Sequence, residues 1–370
     1  MCCKSNKYKN ILSKFALKCL YLTTMRKLRL YVVTILALMA GANTIMAQEL
    51  KYGVDFVTLF DNTEYAGMQQ QWSETLFSAR LTPKVSLNWD GGNELVLASD
   101  FTRDFGHKTD FVSDTNLHFY YGYRAPQVRL MAGIFPRSEM RGLRSELFFD
   151  RHYRYYHNTL SGVLARKESA SGASFIEFAM DYNGKRTMTT REAFAIMTSA
   201  RYAEKALYVG YDIMIGHYAK DYNPETNDGV VDNFLLTPYV GVQGEDYEIG
   251  VKYVQSVQRD RVNENTFESP KGVELYATYR YNKLSVHNVT YWGEAPFVYY
   301  GRYGKDLYHG LQHYAPPHTN YYDAVTICYS EWFANKSVLL DVGFTIEGDG
   351  TGLGTRQWLC VSVMLDNLGK

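Results

Sequence analysis

The densest group of ionisable side chains in this sequence lies between Arg137 and Tyr156. Arginine stays charged at any relevant pH and presents a fixed fork of donors that suits carboxylate and phosphate groups. Charges of both signs at a narrow point of a passage select solutes by charge, because low-dielectric walls focus the field. The alternative is an ordinary charged and solvated loop. The candidate constriction residues are Arg137, Glu139, Arg141, Arg144, Glu146, Asp150, Arg151 and Arg154.

A second candidate is the tyrosine-rich segment 299–318, which contains His309, His313 and His318. Three neighbouring imidazoles could bind a transition metal. The segment also contains Pro316 and Pro317, and no carboxylate or thiolate stands directly beside the histidines. We therefore predict no metal and no other cofactor, and interpret the segment as a loop that packs on itself or contacts sugars.

Motifs of hydrolytic enzymes are the third possibility. The sequence contains no Gly-x-Ser-x-Gly nucleophile elbow and no His-Glu-x-x-His zinc motif. The glycines of 348–354 are interpreted as a flexible connection rather than a phosphate-binding loop. On these grounds we predict that the protein is not an enzyme.

The elements that must position these residues are indicated by a strict period of two. In 337–347, one face carries Val338, Leu340, Val342, Phe344 and Ile346. The same alternation recurs in 206–217, in 248–256 and in the last apolar segment. Alternate side chains point to opposite faces of a strand, so these segments are predicted to be β-strands with one apolar face.

The lengths of the connections decide how the strands assemble. An antiparallel sandwich also alternates apolar and polar residues, but it has no reason to alternate short and long connections. Here seven short turns alternate with eight longer loops, which is the pattern of a bacterial membrane barrel. We predict an all-β fold, a closed antiparallel transmembrane β-barrel of about 16 strands, with 14 as the alternative. The first strand is expected near 49–60 and the last near 355–366.

The face opposite the apolar one carries polar and small residues, which we expect to meet water inside the barrel. A barrel of about sixteen strands leaves an aqueous channel. The predicted lumen-facing residues are Asp114, Asn116, His118, Asp212, Lys252, Glu274, Arg280, Asp341 and Glu347.

The beginning of the chain is typical of an exported protein. Met25 starts a basic segment, an apolar run follows from Leu30 to Ala40, and a small residue stands at Ala47. This is the pattern of a cleaved signal peptide. We predict an upstream extension at 1–24, a signal peptide at 25–47 and one barrel domain at 48–370.

Composition excludes one class of partner. The eight basic residues of 1–47 account for the neutral balance, and the rest of the chain has 31 basic against 39 acidic residues. A nucleic-acid-binding protein would carry a basic surplus, so no nucleic acid is expected. Only Cys328 and Cys360 follow residue 47, and we expect both to be free thiols.

Several local runs resemble a known group of proteins. They are 131–137 (Met-Ala-Gly-Ile-Phe-Pro-Arg), 148–150, 160–162, 191–194, 298–304 and Leu307-Tyr308. These resemble uncharacterised porin-like outer-membrane β-barrel proteins of Bacteroidota over the whole of 48–370. The resemblance implies an outer-membrane location without a specific activity. Sixteen-stranded porins generally fold their third loop into the lumen, and 137–156 resembles that loop by position.

The sequence therefore predicts an outer-membrane, porin-like channel for passive or weakly selective diffusion of small solutes. The alternative is a closed barrel that acts as a surface scaffold, with external loops that bind a partner or a glycan. Outer-membrane lipid and small solutes are the expected partners, and assembly as a homotrimer is left open.

Overall fold

A computed structural model describes residues 48–68, 73–106, 111–220, 229–316 and 320–366. The predicted extension and signal peptide, residues 1–47, lie outside the described residues, as does His318. The domain boundaries at residues 24 and 47 therefore stay predictions.

The described strands form one closed antiparallel barrel of sixteen strands, in which β1 pairs with β16 and every other strand pairs with its neighbours along the chain. This confirms the predicted fold class. The first eight strands are β1 (Glu49–Ala66), β2 (Glu74–Trp89), β3 (Asn93–Asp104), β4 (Asp114–Ala125), β5 (Val128–Pro136), β6 (Thr159–Glu168), β7 (Phe175–Gly184) and β8 (Ala193–Glu204). The others are β9 (Leu207–Tyr218), β10 (Val231–Gln243), β11 (Tyr247–Asp260), β12 (Lys271–Tyr281), β13 (Leu284–Gly293), β14 (Tyr321–Phe333), β15 (Val338–Gly348) and β16 (Leu353–Asp366).

The register of β15 and β16 shows how the alternating sequence is used. Val342 lies opposite Leu359 on β16, and these outward side chains are 38% and 42% exposed. Their sequence neighbours on the other face point into the barrel, where Thr345 and Glu347 are buried. A one-residue slip would exchange the two faces, so the hydrophobic pattern fixes the register.

The strands are longer than the predicted ones. β1 has 18 residues, and it continues to Ala66 where the sequence indicated an end near Phe60. A tilted strand needs only about 9–11 residues to cross the membrane. The alternation of apolar residues marks that crossing part alone, whereas the hydrogen-bonded ladder continues beyond it.

The turns are tight and the external loops are long. In the turn between β2 and β3, Gly92 has a φ of +89°, and a Cβ there would lie 1.9 Å from the carbonyl oxygen of Arg124. Only glycine fits that position. Two short helices, α1 (Arg151–Tyr156) and α2 (Tyr300–Tyr303), lie in the loops. Within the described residues, no helix is long and apolar enough to cross a membrane.

Candidate functional site

The segment between β5 and β6, residues 137–158 and here called the inward loop, lies inside the barrel. An external loop of a barrel would be solvated, yet Met140, Leu143, Leu147 and Phe148 are at most 3% exposed. These side chains belong to the main buried apolar cluster. The apolar core of this protein therefore fills part of the lumen.

Carboxylates of the barrel wall hold the inward loop by its backbone. Glu177 on β7 accepts hydrogen bonds of 3.0 Å from the N–H groups of Arg141 and Gly142. Asp212 on β9 accepts from the N–H of Leu143 at 3.0 Å and from the hydroxyl of Ser199 at 2.6 Å. Hydrogen bonds to a charged acceptor are about twice as strong as neutral ones. The wall therefore holds residues 141–143 of the inward loop in place.

Glu139, Arg141 and Asp150 of the inward loop have partners close to the loop. Arg141 pairs with Glu168 at 2.6 Å, and Glu139 pairs with Arg129 at 3.2 Å. Asp150 accepts a hydrogen bond from the N–H of Tyr153 and so caps α1. The three side chains therefore fix the conformation of the loop and its attachment to neighbouring segments.

A second segment also enters the lumen: residues 294–316, here called the tyrosine loop. Tyr308 and Tyr314 are each 2% exposed, and Tyr314 donates to Glu274 on β12 at 3.1 Å. The two inward segments are joined by backbone hydrogen bonds from Leu311 N to Glu146 O at 2.9 Å, and from Asp150 N to His309 O at 2.8 Å. The sequence did not indicate this, because the segment has no periodic pattern.

The histidines of the tyrosine loop pack against aromatic rings. His309 stacks on Tyr153, with ring centres 4.1 Å apart, and His313 stacks on Tyr322 at 3.4 Å. Burial, together with the positive charge of Arg137, lowers the pKa of His309 to about 3. Within the described parts of the chain, no three histidine, cysteine or acidic residues group as metal ligands do.

The space left between the inward segments and the wall is a cavity of 570 Å³, here called the passage. It is lined by charges of both signs and by aromatic rings, of which Tyr239, Tyr276, Tyr322 and Trp358 belong to the wall. The charged lining residues are Arg141, Glu146, Arg144, Arg151 and Arg154 of the inward loop, with Arg201, Asp212, Glu248, Lys252, Glu274, Glu347 and Arg356 of the wall.

The cations of the wall are neutralised by carboxylates. Arg201 lies 2.9 Å from Glu248, and Lys252 lies 2.6 Å from Glu274. Arg356 on β16 forms a 2.9 Å ion pair with a buried carboxylate, that of Asp61 on β1. Because each of these three positive charges has a carboxylate partner, the wall cations add little positive field to the passage.

Three arginines of the inward loop differ from those of the wall. Arg144 donates to the main-chain oxygens of Met140 and Arg141, and Arg154 donates to four main-chain oxygens of the same loop. The guanidinium of Arg151 lies 3.6 Å from the ring centre of Trp358. Within the described ranges, none of the three has a carboxylate within 4.0 Å. Positive charges without a direct ion-pair partner therefore lie along the passage beside Glu146.

Four of the predicted lumen-facing residues line the passage: Asp212, Lys252, Glu274 and Glu347. We expected such side chains to meet water, but Asp212, Glu274 and Glu347 are 7%, 0% and 6% exposed. Glu347 accepts a hydrogen bond from Tyr322 at 2.6 Å. The expectation of a water-facing set was wrong here, because the two inward segments cover these carboxylates.

Three further predicted residues lie on β4, away from the passage. The amide of Asn116 donates to the main-chain oxygen of Tyr156 at 3.1 Å, and Asp114 accepts from the same amide at 3.4 Å. His118 is buried and lies 3.1 Å from Asp100 on β3. They support the end of the inward loop rather than the passage.

The last two predicted residues do not join the site. Asp341 on β15 accepts a hydrogen bond from Ser330 on β14. Arg280 is exposed near the short turn that follows β12, and its N–H donates to Asp246 O at 2.7 Å. The structure brings neither residue to the narrow part of the lumen.

Some residues of the site were missed in the sequence, although their strand positions contain the signal. Glu177, Arg201 and Arg356 occupy inward positions of β7, β8 and β16, given the alternation of each strand. Counting alternate residues from Asp212 or Glu347 through the cross-strand register finds them. That step requires the pairing register between neighbouring strands, which cannot be read from the sequence alone.

The fold and site together define an outer-membrane β-barrel of porin-like architecture. A family model described as lipid A 3′-O-deacylase-type matches residues 42–350, and the chain belongs to this family. A search of curated proteins found no match. Two solved structures share the fold: Salmonella typhi OmpF in complex with daunomycin, and a loop L8 deletion mutant of OmpT from Vibrio cholerae. The TM-score is 0.50 for both, at 11% and 12% identity. The alignments cover 84% and 86% of this chain, and 97% and 99% of those chains.

The family corrects one prediction. We predicted from the sequence that the protein is not an enzyme, and this is wrong, because the family is described as one of deacylases. The motifs we searched for belong to other folds: the nucleophile elbow, for example, needs a strand–turn–helix. In a barrel, residues on neighbouring strands lie side by side although they are distant in the sequence. Catalytic groups can therefore meet without a contiguous motif.

Proposed function

We propose that the barrel is a narrow outer-membrane channel with a preference for small solutes that carry a carboxylate or phosphate group. The observation that carries the proposal is the line of Arg144, Arg151 and Arg154 beside the passage, which lack carboxylate partners within the described chain. Fixed positive charge in a low-dielectric constriction attracts anions. The guanidinium fork also matches carboxylate and phosphate oxygens.

The volume and lining of the passage support a selective rather than a general pore. At 570 Å³ it lies within the range of small-ligand sites, about 300–1,000 Å³. Tyrosines and Trp358 line it together with the arginines, and apolar ring faces suit the carbon skeleton of an organic solute. A small organic anion would therefore meet both kinds of surface.

Planar-bilayer recording of the purified, detergent-extracted protein tests this function. Discrete conductance steps are expected, and millimolar gluconate should interrupt the current more often than glucose of the same carbon skeleton. A bilayer that stays sealed at all voltages contradicts the channel and favours the surface scaffold. Equal effects of gluconate and glucose contradict the preference for anions.

A second proposed function is hydrolysis of an ester, which the description of the family favours. The structure offers one hydroxyl–imidazole pair for it: Thr278 Oγ1 on β12 lies 2.8 Å from His287 Nδ1 on β13. Both residues line the passage. A hydroxyl hydrogen-bonded to an imidazole is the arrangement of a nucleophile and its general base. The two proposed functions are compatible, because a channel wall can carry such a pair.

Fatty-acid release from purified lipid A, measured by mass spectrometry, tests the second function. Thr278→Val and His287→Gln should each abolish release, whereas Thr326→Val, which changes a neighbouring threonine of the passage, should retain it. No release by the unaltered protein contradicts hydrolysis of lipid A. Release that survives in both variants contradicts this pair as the site.

A further inference from the structure

A second cavity, of 220 Å³, shares Arg144 and Arg154 with the passage and is otherwise lined largely by different residues. Its charged lining consists of Arg80, Arg137, Arg144 and Arg154. Within the described residues no aspartate or glutamate lines it. A cavity bordered by four guanidinium groups and no acid has a strongly positive potential.

Arg137 is the most deeply buried of the four, with a side chain 7% exposed. Its Nε donates to the main-chain oxygen of His157 at 3.0 Å. Its Nη2 donates to the oxygen of Thr159 at 2.8 Å and to the carboxylate of Asp181 at 2.6 Å. Nη1 is buried without a hydrogen-bond partner. A buried charged donor without a partner is destabilising, so this atom indicates a missing acceptor.

The other three arginines are held by neutral groups. Arg80 Nη1 donates to the main-chain oxygen of Tyr155 at 2.7 Å, and its guanidinium lies 4.6 Å from the centre of that ring. Arg144 and Arg154 are held by main-chain oxygens of the inward loop. Burial lowers the pKa of both these guanidinium groups. Neither group has a carboxylate within 4.0 Å in the described part of the chain.

The acids nearest to this cavity are occupied elsewhere. Asp181 is paired with Arg137. Asp100 lies 3.1 Å from His118 Nε2 and accepts a hydrogen bond of 2.6 Å from the amide of Asn158. The positive charge of Arg144 and Arg154 is therefore left for a ligand.

Asn158 supplies an acceptor to the same cavity. Its amide nitrogen is used by Asp100, which fixes the orientation of the amide group. Its Oδ1 is buried and has no hydrogen-bond partner. A ligand that satisfies both Arg137 Nη1 and Asn158 Oδ1 needs negative oxygens and also a proton to donate.

We propose that this cavity is a binding site for hydrogenphosphate. Its charged oxygens would face the arginines, and its P–OH group would donate to Asn158 Oδ1. The cavity, at 220 Å³, is far larger than the roughly 10–15 Å³ that one water molecule requires, and it accommodates the ion with bridging waters. The site does not depend on conduction, so it holds whether or not the channel proposal does.

Isothermal titration calorimetry of the whole folded barrel, in non-ionic detergent and low chloride at pH 7, tests the site with inorganic phosphate. We expect one phosphate per chain, and at least tenfold weaker binding of sulfate, which has no proton to donate. A site built for a hydroxyl discriminates strongly against an analogue that lacks it. No binding of phosphate, or a stoichiometry far from one, would overturn the proposal.

Variants locate the site. Arg144→Gln should weaken phosphate binding tenfold or more, and Arg80→Gln provides a second test if that protein does not fold, as judged by heat-modifiable migration in gels. Arg261→Gln is the control, because Arg261 is 49% exposed and paired with Asp232; it should bind as the unaltered protein does. Asn158→Ala should reduce the preference for phosphate over sulfate. Unchanged binding in both Arg144→Gln and Arg80→Gln would overturn the assignment.

Discussion

The guanidinium of Arg151 lies 3.6 Å from the centre of the indole ring of Trp358. The arginine belongs to the inward loop and the tryptophan to β16, so this contact joins the loop to the wall across the passage. A desolvated cation–π contact contributes about 2 kcal/mol. Trp358 in turn lies opposite Gly343 on β15, where a Cβ would lie 1.8 Å from the indole ring.

Gly343→Ala should therefore displace Trp358 and loosen the inward loop. Overpacking of this kind costs about 1–3 kcal/mol, so we expect a lower temperature of unfolding in the heat-modifiability assay and a noisier channel current. Gly301→Ala is the control, since nothing lies within 4 Å of a Cβ there. If Gly343→Ala has normal stability and no added current noise, the close contact with Gly343 does not hold the indole ring of Trp358 in place.

The facing of the strands gives a second prediction. Val342→Arg places a charge toward lipid and should cost about 2–4 kcal/mol at the membrane midplane. Ser285→Arg on β13 should assemble normally, because Ser285 shares the inward face with His287 and is only partly buried. The folded fraction in detergent and in vesicles measures both. Equal losses would contradict the assigned faces.

The two segments inside the lumen should loosen in acid. Burial lowers the pKa of His152, His157 and His309, the last to about 3. When the segments leave the lumen, each imidazole regains an ordinary pKa near 6.5 and therefore binds a proton more readily. The stability that the neutral histidines contribute is thus complete above about pH 6.5 and is lost progressively as the pH falls toward 3.

Single-channel recording between pH 7 and pH 4 checks this effect. Conductance is expected to rise and become noisier as the pH falls, and His309→Phe should reduce the change, because phenylalanine keeps the stack on Tyr153 without a titratable group. A conductance that is constant across this range, or an unchanged pH profile in the variant, counts against the role of these histidines.

Weakening the hydrogen bonds that hold the backbone of the inward loop tests whether the loop sets the width of the passage. The double variant Glu177→Gln with Asp212→Asn weakens the hydrogen bonds to the N–H groups of residues 141–143. We expect a clearly larger single-channel conductance, since the loop is then free to leave the passage. Glu248→Gln is the control, because Glu248 lines the same passage and pairs with Arg201 rather than with the loop. Equal conductance in the double variant and the control would show that the loop does not set the width.

The sequence predicted the barrel well and the site in part, for a physical reason. Alternation along a strand such as 338–348 is local, so the sixteen strands and the sides of Val342 and Asp212 can be inferred residue by residue. Whether a loop folds inward depends on partners far along the chain. Glu177 and Asp212 hold residues 141–143, and Tyr308 and Tyr314 fill the opposite side; no pattern within those segments encodes the contact. The charged residues of 137–154 were predicted from the sequence, but which of their arginines lack a carboxylate partner was not, because that depends on contacts with distant strands.

The reversal potential of the purified channel in a tenfold gradient of KCl tests most directly whether the arginines of the passage make it selective for anions. We expect a preference for chloride over potassium. Arg151→Gln should shift the potential clearly toward potassium, because it removes a guanidinium that contacts the ring of Trp358 rather than a carboxylate. Arg261→Gln, on the exposed ion pair with Asp232, should keep the original potential. A cation-preferring channel, or a potential that Arg151→Gln leaves unchanged at low salt, would contradict selection of anions by these arginines.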